Sequence, residues 1–230
     1  MPYIYWDSTY ILVVIGAVIC MIASARVKTT FNKYSAYRSM SGMTGAQAAE
    51  RILHSAGLYG VRIERVSGHL TDHYDPRTKT VSLSEDIYGR NSLAAVGVAA
   101  HECGHAIQDA INYAPLNIRS AIVPAANIGS QLSWPLFIAG LIFSIDPLVT
   151  LGIVLFSLAV LFQLVTLPVE INASSRALKM LESTGILGTD EKKGAKKVLI
   201  AAALTYVAAL AASILQLLRL IILAGGRNRD

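Results

Sequence analysis

Long apolar stretches separated by charged segments dominate the pattern along the chain. Four of these stretches are long and apolar enough to cross a bilayer as a helix, which takes roughly 20 residues. The predicted transmembrane helices cover residues 3–25, 121–143, 147–168 and 198–224. Two longer polar segments, 26–120 and 169–197, lie between them. The pattern therefore predicts a mainly α, polytopic membrane protein with about four transmembrane helices.

The segment 26–120 contains short stretches with the apolar patterns of helices and strands, which predict a small folded α+β unit. Thr44 and Gln47 have the spacing of a capping box at the start of an amphipathic run. This arrangement predicts a helix that begins after Thr44 and ends at Gly57. The unit would then continue with strands and a second, longer helix.

Three further elements follow within this unit: a strand, a hairpin and the long helix. The predicted ranges are 61–66 for the strand, 70–84 for the hairpin with its turn at 75–77, and 91–111 for the helix. Asn91 and Ser92 are both good helix-capping residues, so either could begin this helix. In 169–197, a further helix is predicted to open at Glu170.

Composition and charge agree with a membrane protein and indicate its orientation. The chain is 53% hydrophobic and 15% charged, against about 25% charged in a typical soluble domain. Of its 20 Lys and Arg residues, 11 lie in 26–120 and 6 in 169–197. Because cytoplasmic loops carry the positive excess, we predict that both segments are cytoplasmic and that the N-terminus is outside.

Several function classes lack support in the sequence. Two cysteines cannot form a disulfide framework. The chain has no Walker loop, no GxGxxG and no zinc-ribbon CxxC. It also lacks a basic stripe interleaved with aromatic residues, so no nucleic-acid partner is expected. The expected partners are the lipid bilayer and a peptide or membrane-protein substrate, and the oligomeric state stays open.

The stretch AAHECGHAIQD, within the predicted helix 91–111, carries the strongest chemical signal. His101 and His105 are four residues apart, so a helix places both imidazoles on one face, where they can hold one metal ion. Glu102 is rotated by about 100° around the helix, which suits it to act as a base on a water rather than as a ligand. The less specific interpretation is a helix with two hydrogen-bonded core histidines.

A metal site needs a third ligand, and the same helix cannot supply it. Asp109 continues the histidine row but lies about 12 Å along a straight helix from His101. Glu170 is the preferred candidate because it opens a helix with small residues on one face. Small residues on both helices would allow a close approach. The remaining candidates for the third ligand are Glu85, Glu182 and His73.

The other histidines and the cysteine in the motif have simpler interpretations. His69 and His73 are four apart but fall on a strand and a turn, which does not give a shared helical face. We expect them at the surface or at the rim of the site. Cys103 should point away from the ligands and pack in the core, and His54 should lie on a helix surface.

Three segments together resemble a known family. HECGH, the preceding LTDHYDPRTKTVSLSEDIYG and the later PVEINASSRAL are similar to the YugP-type membrane zinc metallopeptidases, the neutral zinc metallopeptidase family. The likeness extends more distantly to the HtpX-like gluzincins. It implies that 26–120 is a gluzincin-like catalytic unit. It also implies one zinc ion held by His101, His105 and Glu170, with Glu102 as catalytic base.

The resemblance has one departure and leaves some roles open. In the distant relatives an aspartate four residues after the glutamate ligand supports a histidine, whereas this chain has Ser174 there. Ser174 or Asn172 could take over that support. TDHYDP matches the position of a substrate-aligning edge strand. His73, Tyr74 and Arg176 are candidates for the donor that stabilises the oxyanion.

The expected function is that of a membrane-embedded, zinc-dependent endopeptidase acting on membrane or membrane-proximal proteins. Glu102 would take a proton from a water at the zinc ion. One alternative is a non-proteolytic zinc-binding membrane scaffold or quality-control adaptor, although binding alone needs no base. Another is a protease with its motif inside a span. The polar flanks of 91–111 favour a site on the cytoplasmic side of the cell membrane instead.

Overall fold

The computed structural model describes residues 7–227 and is mainly helical, with one small mixed sheet. The first residues of the predicted span 3–25 lie outside this range. In chain order the elements are α1 Tyr10–Ser35, α2 Gly45–Ser55, β1 Arg62–Val66, β2 His73–Asp75, β3 Thr80–Ser84, α3 Glu85–Tyr88, α4 Leu93–Ala110, α5 Ala114–Ile142, α6 Asp146–Ser183 and α7 Thr189–Arg227.

Three of these helices are long and apolar enough to cross a membrane. They are Tyr10–Ser35, Asp146–Ser183 and Thr189–Gly226, with mean hydropathies of 2.3, 2.6 and 2.4. Within the described residues, α5 is not among them, because polar residues such as Asn127 and Gln131 lower its hydropathy. Length and composition thus support three of the four predicted spans, and the span 121–143 stays a prediction.

The chain divides into two compact units. The helical unit comprises the residues up to Ser24, Ile118–Leu167 and those from Thr205 onward. The site unit comprises Ala25–Asn117 and Pro168–Leu204. Helices α1, α6 and α7 each contribute residues to both units. The sequence predicted that a new helix opens at Glu170, whereas α6 continues as one helix through Pro168.

The site unit contains a three-stranded sheet with the order β1-β3-β2. Its central strand β3 is completely buried, and it pairs in parallel with β1 and antiparallel with β2. The predicted hairpin is confirmed, with His73 opposite Ser82 and Asp75 opposite Thr80, but Asp75 belongs to β2 and the turn lies at 76–79 rather than at 75–77. Asp72 accepts hydrogen bonds from the Ser84 backbone amide (2.7 Å) and hydroxyl (3.0 Å), which fixes the strand ends in register. β2 therefore forms one edge of the sheet.

Local signals in the sequence correctly located the helices of this unit. The capping box of α2 is present, with the Thr44 amide donating to Gln47 Oε1 at 2.9 Å and the Gln47 amide to Thr44 Oγ1 at 3.3 Å. Gly57, just after this helix, has a φ of 74°, a conformation that glycine adopts without steric cost. Ser92 caps α4 by accepting from the Ala95 amide, which decides between Asn91 and Ser92. The short helix α3 was not predicted.

Helix α4 is the centre of the site unit, since 13 of its 18 residues are buried. It packs against α2, α3 and the hairpin strands β2 and β3. Gly97 faces Ala195 of α7, where an added Cβ would lie 3.3 Å from the alanine Cβ. The small residues along α4 therefore serve close helix packing on more than one side.

Helices α4 and α6 approach each other closely at Gly104. A Cβ on Gly104 would lie 2.5 Å from the carbonyl oxygen of Ala173, closer than real side chains come. Ala173 and Ala177 on the facing helix are completely buried. The two backbones can therefore meet only because position 104 has no side chain. Small faces on both helices were expected from the sequence, and here they determine the distance between the helices.

We predict that Gly104→Ala destabilises the protein by about 1–2 kcal/mol, since overpacking against backbone exceeds the gain in helix propensity. Thermal unfolding of the detergent-solubilised protein measures this change. Gly225→Ala in α7 is the matched control, because an added Cβ there meets nothing within 4 Å. The control should be neutral or slightly stabilising. An unfolding midpoint for Gly104→Ala equal to that of the unmodified protein would contradict the close-approach argument.

Candidate metal centre

Two histidines of α4 and one glutamate of α6 converge in the site unit. His101 Nε2 lies 3.2 Å from Glu170 Oε2, and His105 Nε2 lies 3.5 Å from the same oxygen. Together the three side chains offer ligand atoms that lie within 4.8 Å of one another. Helix α4 places the two imidazoles one turn apart, and the close approach at Gly104 brings Glu170 opposite them.

The second nitrogen of each imidazole has a partner of its own. Ser174 Oγ lies 3.1 Å from His101 Nδ1, and Gln108 Oε1 lies 3.0 Å from His105 Nδ1. Ligating histidines in proteins use their other nitrogen in this way, which fixes the ring orientation. The two Nε2 atoms are therefore directed toward Glu170 by contacts on the far side of each ring.

The chemistry of this donor set fits a zinc ion. Zinc in catalytic sites takes three protein ligands of nitrogen, oxygen or sulfur type and keeps a fourth position open. His101, His105 and Glu170 provide two imidazole nitrogens and one carboxylate. The Glu170 side chain is only 3% exposed, so a carboxylate there needs positive partners to stay charged. The residues present are suited to hold such an ion.

Glu102 differs from the three candidate ligands in having no partner. It is buried, and within the described residues its carboxylate takes part in no hydrogen bond or ion pair. Burial raises the pKa of the Glu102 carboxyl, and the nearby carboxylates of Glu170 and Asp72 act in the same direction. His101 and His105 oppose this shift. A desolvated, unpartnered carboxylate beside a metal site is suited to accept a proton.

The pKa of His105 depends on the neighbouring carboxylates Glu170 and Glu102 as well as on burial. Burial lowers the pKa of His105, but the hydrogen bond with Glu170 and the charge of Glu102 raise it. The net shift is upward. The site thus combines two imidazoles with two carboxylates in a desolvated space, where each protonation state depends on its neighbours.

Gln108 is the residue that sequence reasoning missed. It is completely buried, and its Nε2 donates to the carbonyl oxygen of Val169 at 2.8 Å and to Asn172 Oδ1 at 3.0 Å. Its Oε1 faces His105 Nδ1. One signal was available, since Gln108 lies three residues after His105 and shares its helix face. The sequence could not indicate the partners on α6.

The remaining predicted site residues occupy different surroundings. Asn172 Oδ1 also accepts from Arg176 Nε at 2.7 Å, and the Arg176 guanidinium lies 5.9 Å from the Tyr113 ring centre. His73 is exposed, with its Nδ1 2.9 Å from the Thr71 carbonyl oxygen. His73 is therefore at the surface, as expected.

Tyr74 connects the hairpin with the end of α4. Its hydroxyl donates to Asp109 Oδ2 at 2.6 Å, and Lys79 forms an ion pair with the same carboxylate. Burial raises the pKa of Tyr74, and the hydrogen bond to Asp109 adds to the shift. Asp109, excluded as a ligand by its distance along the helix, thus anchors the hairpin to α4.

The rival third ligands lie in ion pairs or at the surface, outside the histidine group. Glu85 pairs with Arg65 at 2.9 Å, and Glu182 pairs with Lys192 at 2.7 Å. The residues predicted to have no part in the site behave accordingly: Cys103 is buried with its Sγ 3.6 Å from the Ala49 carbonyl oxygen, His69 pairs with Asp86, and His54 is exposed beside Tyr59.

Comparison with known proteins agrees with this geometry. The family model described as "Putative neutral zinc metallopeptidase" matches residues 9–225. The protein named "Putative membrane protease YugP" from Bacillus subtilis (strain 168) is 48% identical over 209 residues, which cover 90% of this chain and 93% of the relative. No solved structure matches the chain. With its apolar helices and almost its whole length matched, the chain belongs to the neutral zinc metallopeptidase family.

Proposed function

We propose that this protein is a membrane-embedded zinc endopeptidase that hydrolyses peptide bonds of membrane or membrane-proximal proteins. The observation that carries the proposal is the convergence of His101, His105 and Glu170 beside the buried, unpartnered carboxylate of Glu102. Membership of the family and the name of the Bacillus relative support the same reaction.

The proposed roles follow from the positions of the side chains. His101, His105 and Glu170 would hold one zinc ion, which when bound supplies Lewis acidity toward a water and a carbonyl oxygen. Glu102 accepts a proton from the attacking water and later delivers it to the nitrogen of the leaving amine. Because Glu102 has no competing hydrogen bond, its carboxylate is available for both transfers.

Substrate binding is proposed to involve the exposed edge of the sheet. β2 pairs only with β3, so its other side is open to an extended peptide within the described residues. Strand addition of this kind uses backbone hydrogen bonds for affinity. His73 is exposed on this strand, which keeps it as a candidate for stabilising the oxyanion. Tyr74 and Arg176 would first have to release Asp109 and Asn172, respectively.

The topology that we propose has four spans, an outside N-terminus and the site unit in the cytoplasm. The positive charges of 26–120 and 169–197 support this orientation. Three apolar helices support three of the crossings, and the fourth at 121–143 rests on the length of α5. The protein would thus expose its metal centre to the cytoplasmic side of the cell membrane.

Glu102→Gln removes the proton acceptor while keeping the shape of the side chain. We expect cleavage of casein by the purified protein to fall by about 100- to 10,000-fold, with zinc content unchanged. Glu50→Gln, an exposed glutamate on α2, is the control and should cleave normally. Undiminished cleavage by Glu102→Gln would exclude the proposed mechanism. Zinc binding without cleavage in the unmodified protein would favour the scaffold alternative.

Glu170→Gln replaces a charged ligand with a neutral amide. Zinc affinity should fall by more than the 10- to 100-fold loss typical of residues that only support a ligand. Competition with a chromogenic chelator measures this affinity. Glu182→Gln on the same helix is the matched control and should bind zinc normally, since Glu182 pairs with Lys192. Zinc affinity retained by Glu170→Gln would rule out Glu170 as the third ligand.

Single cysteines at two exposed positions test the topology. A membrane-impermeant maleimide applied to intact cells should label Ser144→Cys, in the α5–α6 connection. It should label Arg77→Cys, in the hairpin turn, only after the cells are opened. The unmodified protein serves as the control, because Cys103 is buried and Cys20 is partly buried in a predicted span. Equal accessibility of both positions would contradict a crossing at 121–143.

A further inference from the structure

Gln108 belongs to a series of hydrogen bonds that runs from Arg176 through Asn172 and Gln108 to His105. The groups at its start determine which atom donates and which accepts in each bond. Gln108 and Asn172 have amide side chains, whose oxygen and nitrogen ends can be told apart only by their partners. Arg176 Nε can only donate, so the atom it contacts on Asn172 must be the oxygen. The Arg176 donor thus fixes the orientation of the Asn172 amide.

Gln108 is oriented by two acceptors at once. Its Nε2 faces the Asn172 oxygen at 3.0 Å and the Val169 carbonyl oxygen at 2.8 Å. A carbonyl oxygen cannot donate, so the end of Gln108 that faces Val169 must be the NH₂ group. The opposite end is therefore the oxygen, and this oxygen faces His105 Nδ1 at 3.0 Å. Because Gln108 is fully buried, no water is available to replace these partners.

We propose that Gln108 is a positioning residue that keeps the proton of His105 on Nδ1. An oxygen at 3.0 Å from Nδ1 can only accept, so Nδ1 must donate. The form of imidazole that binds a metal ion is neutral and has one proton, and with that proton on Nδ1 the lone pair of Nε2 is left for a metal ion at the candidate position. This inference rests on the proposed role of His105 as a zinc ligand.

His101 lacks an equivalent constraint. Its Nδ1 faces the hydroxyl of Ser174 at 3.1 Å, and a hydroxyl can either donate or accept. Ser174 therefore tolerates both tautomers of His101, whereas Gln108 accepts only one tautomer of His105. The two ligating histidines are unequal in this respect, and the substitution with the larger effect should be the one at Gln108.

Zinc affinity of the full-length protein in detergent provides the first test. Gln108→Met keeps the length and bulk of the side chain but removes all three hydrogen bonds. We expect its affinity for zinc to fall by about 10- to 100-fold, and that of Ser174→Ala to fall less. Gln163→Met removes another glutamine hydrogen bond, the one to Ser213 in the helical unit, and should leave the affinity unchanged. An affinity of Gln108→Met within about twofold of the unmodified protein would overturn the proposal.

Gln108 could act by accepting the His105 proton or only by holding α4 against α6 through its hydrogen bonds to Val169 and Asn172. A second variant distinguishes these two roles. Gln108→Glu still accepts the Nδ1 proton, but it cannot donate to both Val169 and Asn172. We expect its unfolding temperature to fall as that of Gln108→Met does, while its zinc affinity stays within about fivefold of the unmodified protein. An equal loss of affinity in both variants would mean that Gln108 acts only as a brace, and would overturn the proposal.

Nitrogen-15 NMR of histidine-labelled protein reads the tautomer directly. At a pH high enough to leave His105 neutral, the metal-free protein should show the proton of His105 on Nδ1 rather than Nε2 in the unmodified chain and in Gln108→Glu, and a loss of that preference in Gln108→Met. A retained preference in Gln108→Met would overturn the proposal. This reading needs neither bound zinc nor peptidase activity. The failure of the proposed function would appear separately, as absent zinc binding or absent casein cleavage in the unmodified protein.

Discussion

The contact of α4 with α6 at Gly104 is the constraint on which the candidate site depends. A side chain at this position would collide with the Ala173 carbonyl oxygen. Because the backbones approach so closely, Glu170 comes within 3.2 Å of His101, and Ser174 reaches the far side of the same ring. Gln108 meets the Val169 carbonyl across the same contact. A wider spacing would lengthen all three contacts together, since each joins a residue of α4 to a residue of α6.

The site contains two kinds of buried polar group with different physical roles. The imidazoles of His101 and His105, Glu170 and Gln108 satisfy one another through direct hydrogen bonds, which offsets the cost of removing them from water. Within the described residues Glu102 is buried without a hydrogen-bond partner, and burial raises the pKa of its carboxyl. The arrangement thus separates side chains that bind one another from one carboxylate that has no such partner, the group proposed above as the base.

The site unit is assembled from two distant parts of the chain, each of which adjoins an apolar helix. Residues 25–117 follow the apolar part of α1, and residues 168–204 lie between the apolar parts of α6 and α7. Glu170 belongs to α6, which passes through Pro168 without ending. The same helix therefore supplies an apolar stretch of spanning length and the candidate third ligand.

Local patterns were sufficient for much of the fold. The capping box of α2 and the hairpin depend on neighbouring residues, so the sequence alone identified them, and it narrowed the cap of α4 to Asn91 or Ser92. The histidine spacing in AAHECGHAIQD likewise follows from the geometry of one helix. The prediction of a new helix at Glu170 differed from the continuous α6, because a proline only disfavours a helix locally and packing of the flanking turns can retain it.

The sequence by itself determined the apolar spanning stretches, the charge distribution, and the two histidines and the glutamate of the motif. It could only rank Glu170 above Glu85, Glu182 and His73, because a third ligand on another helix depends on the distance between backbones. The tertiary structure decided that distance through Gly104, and it placed Ser174 and Gln108 behind the two imidazoles. The contacts of α4 with α6 join residues 61 to 73 positions apart, which no periodicity along the chain predicts, so the folded molecule was needed to show which of the candidate residues meet.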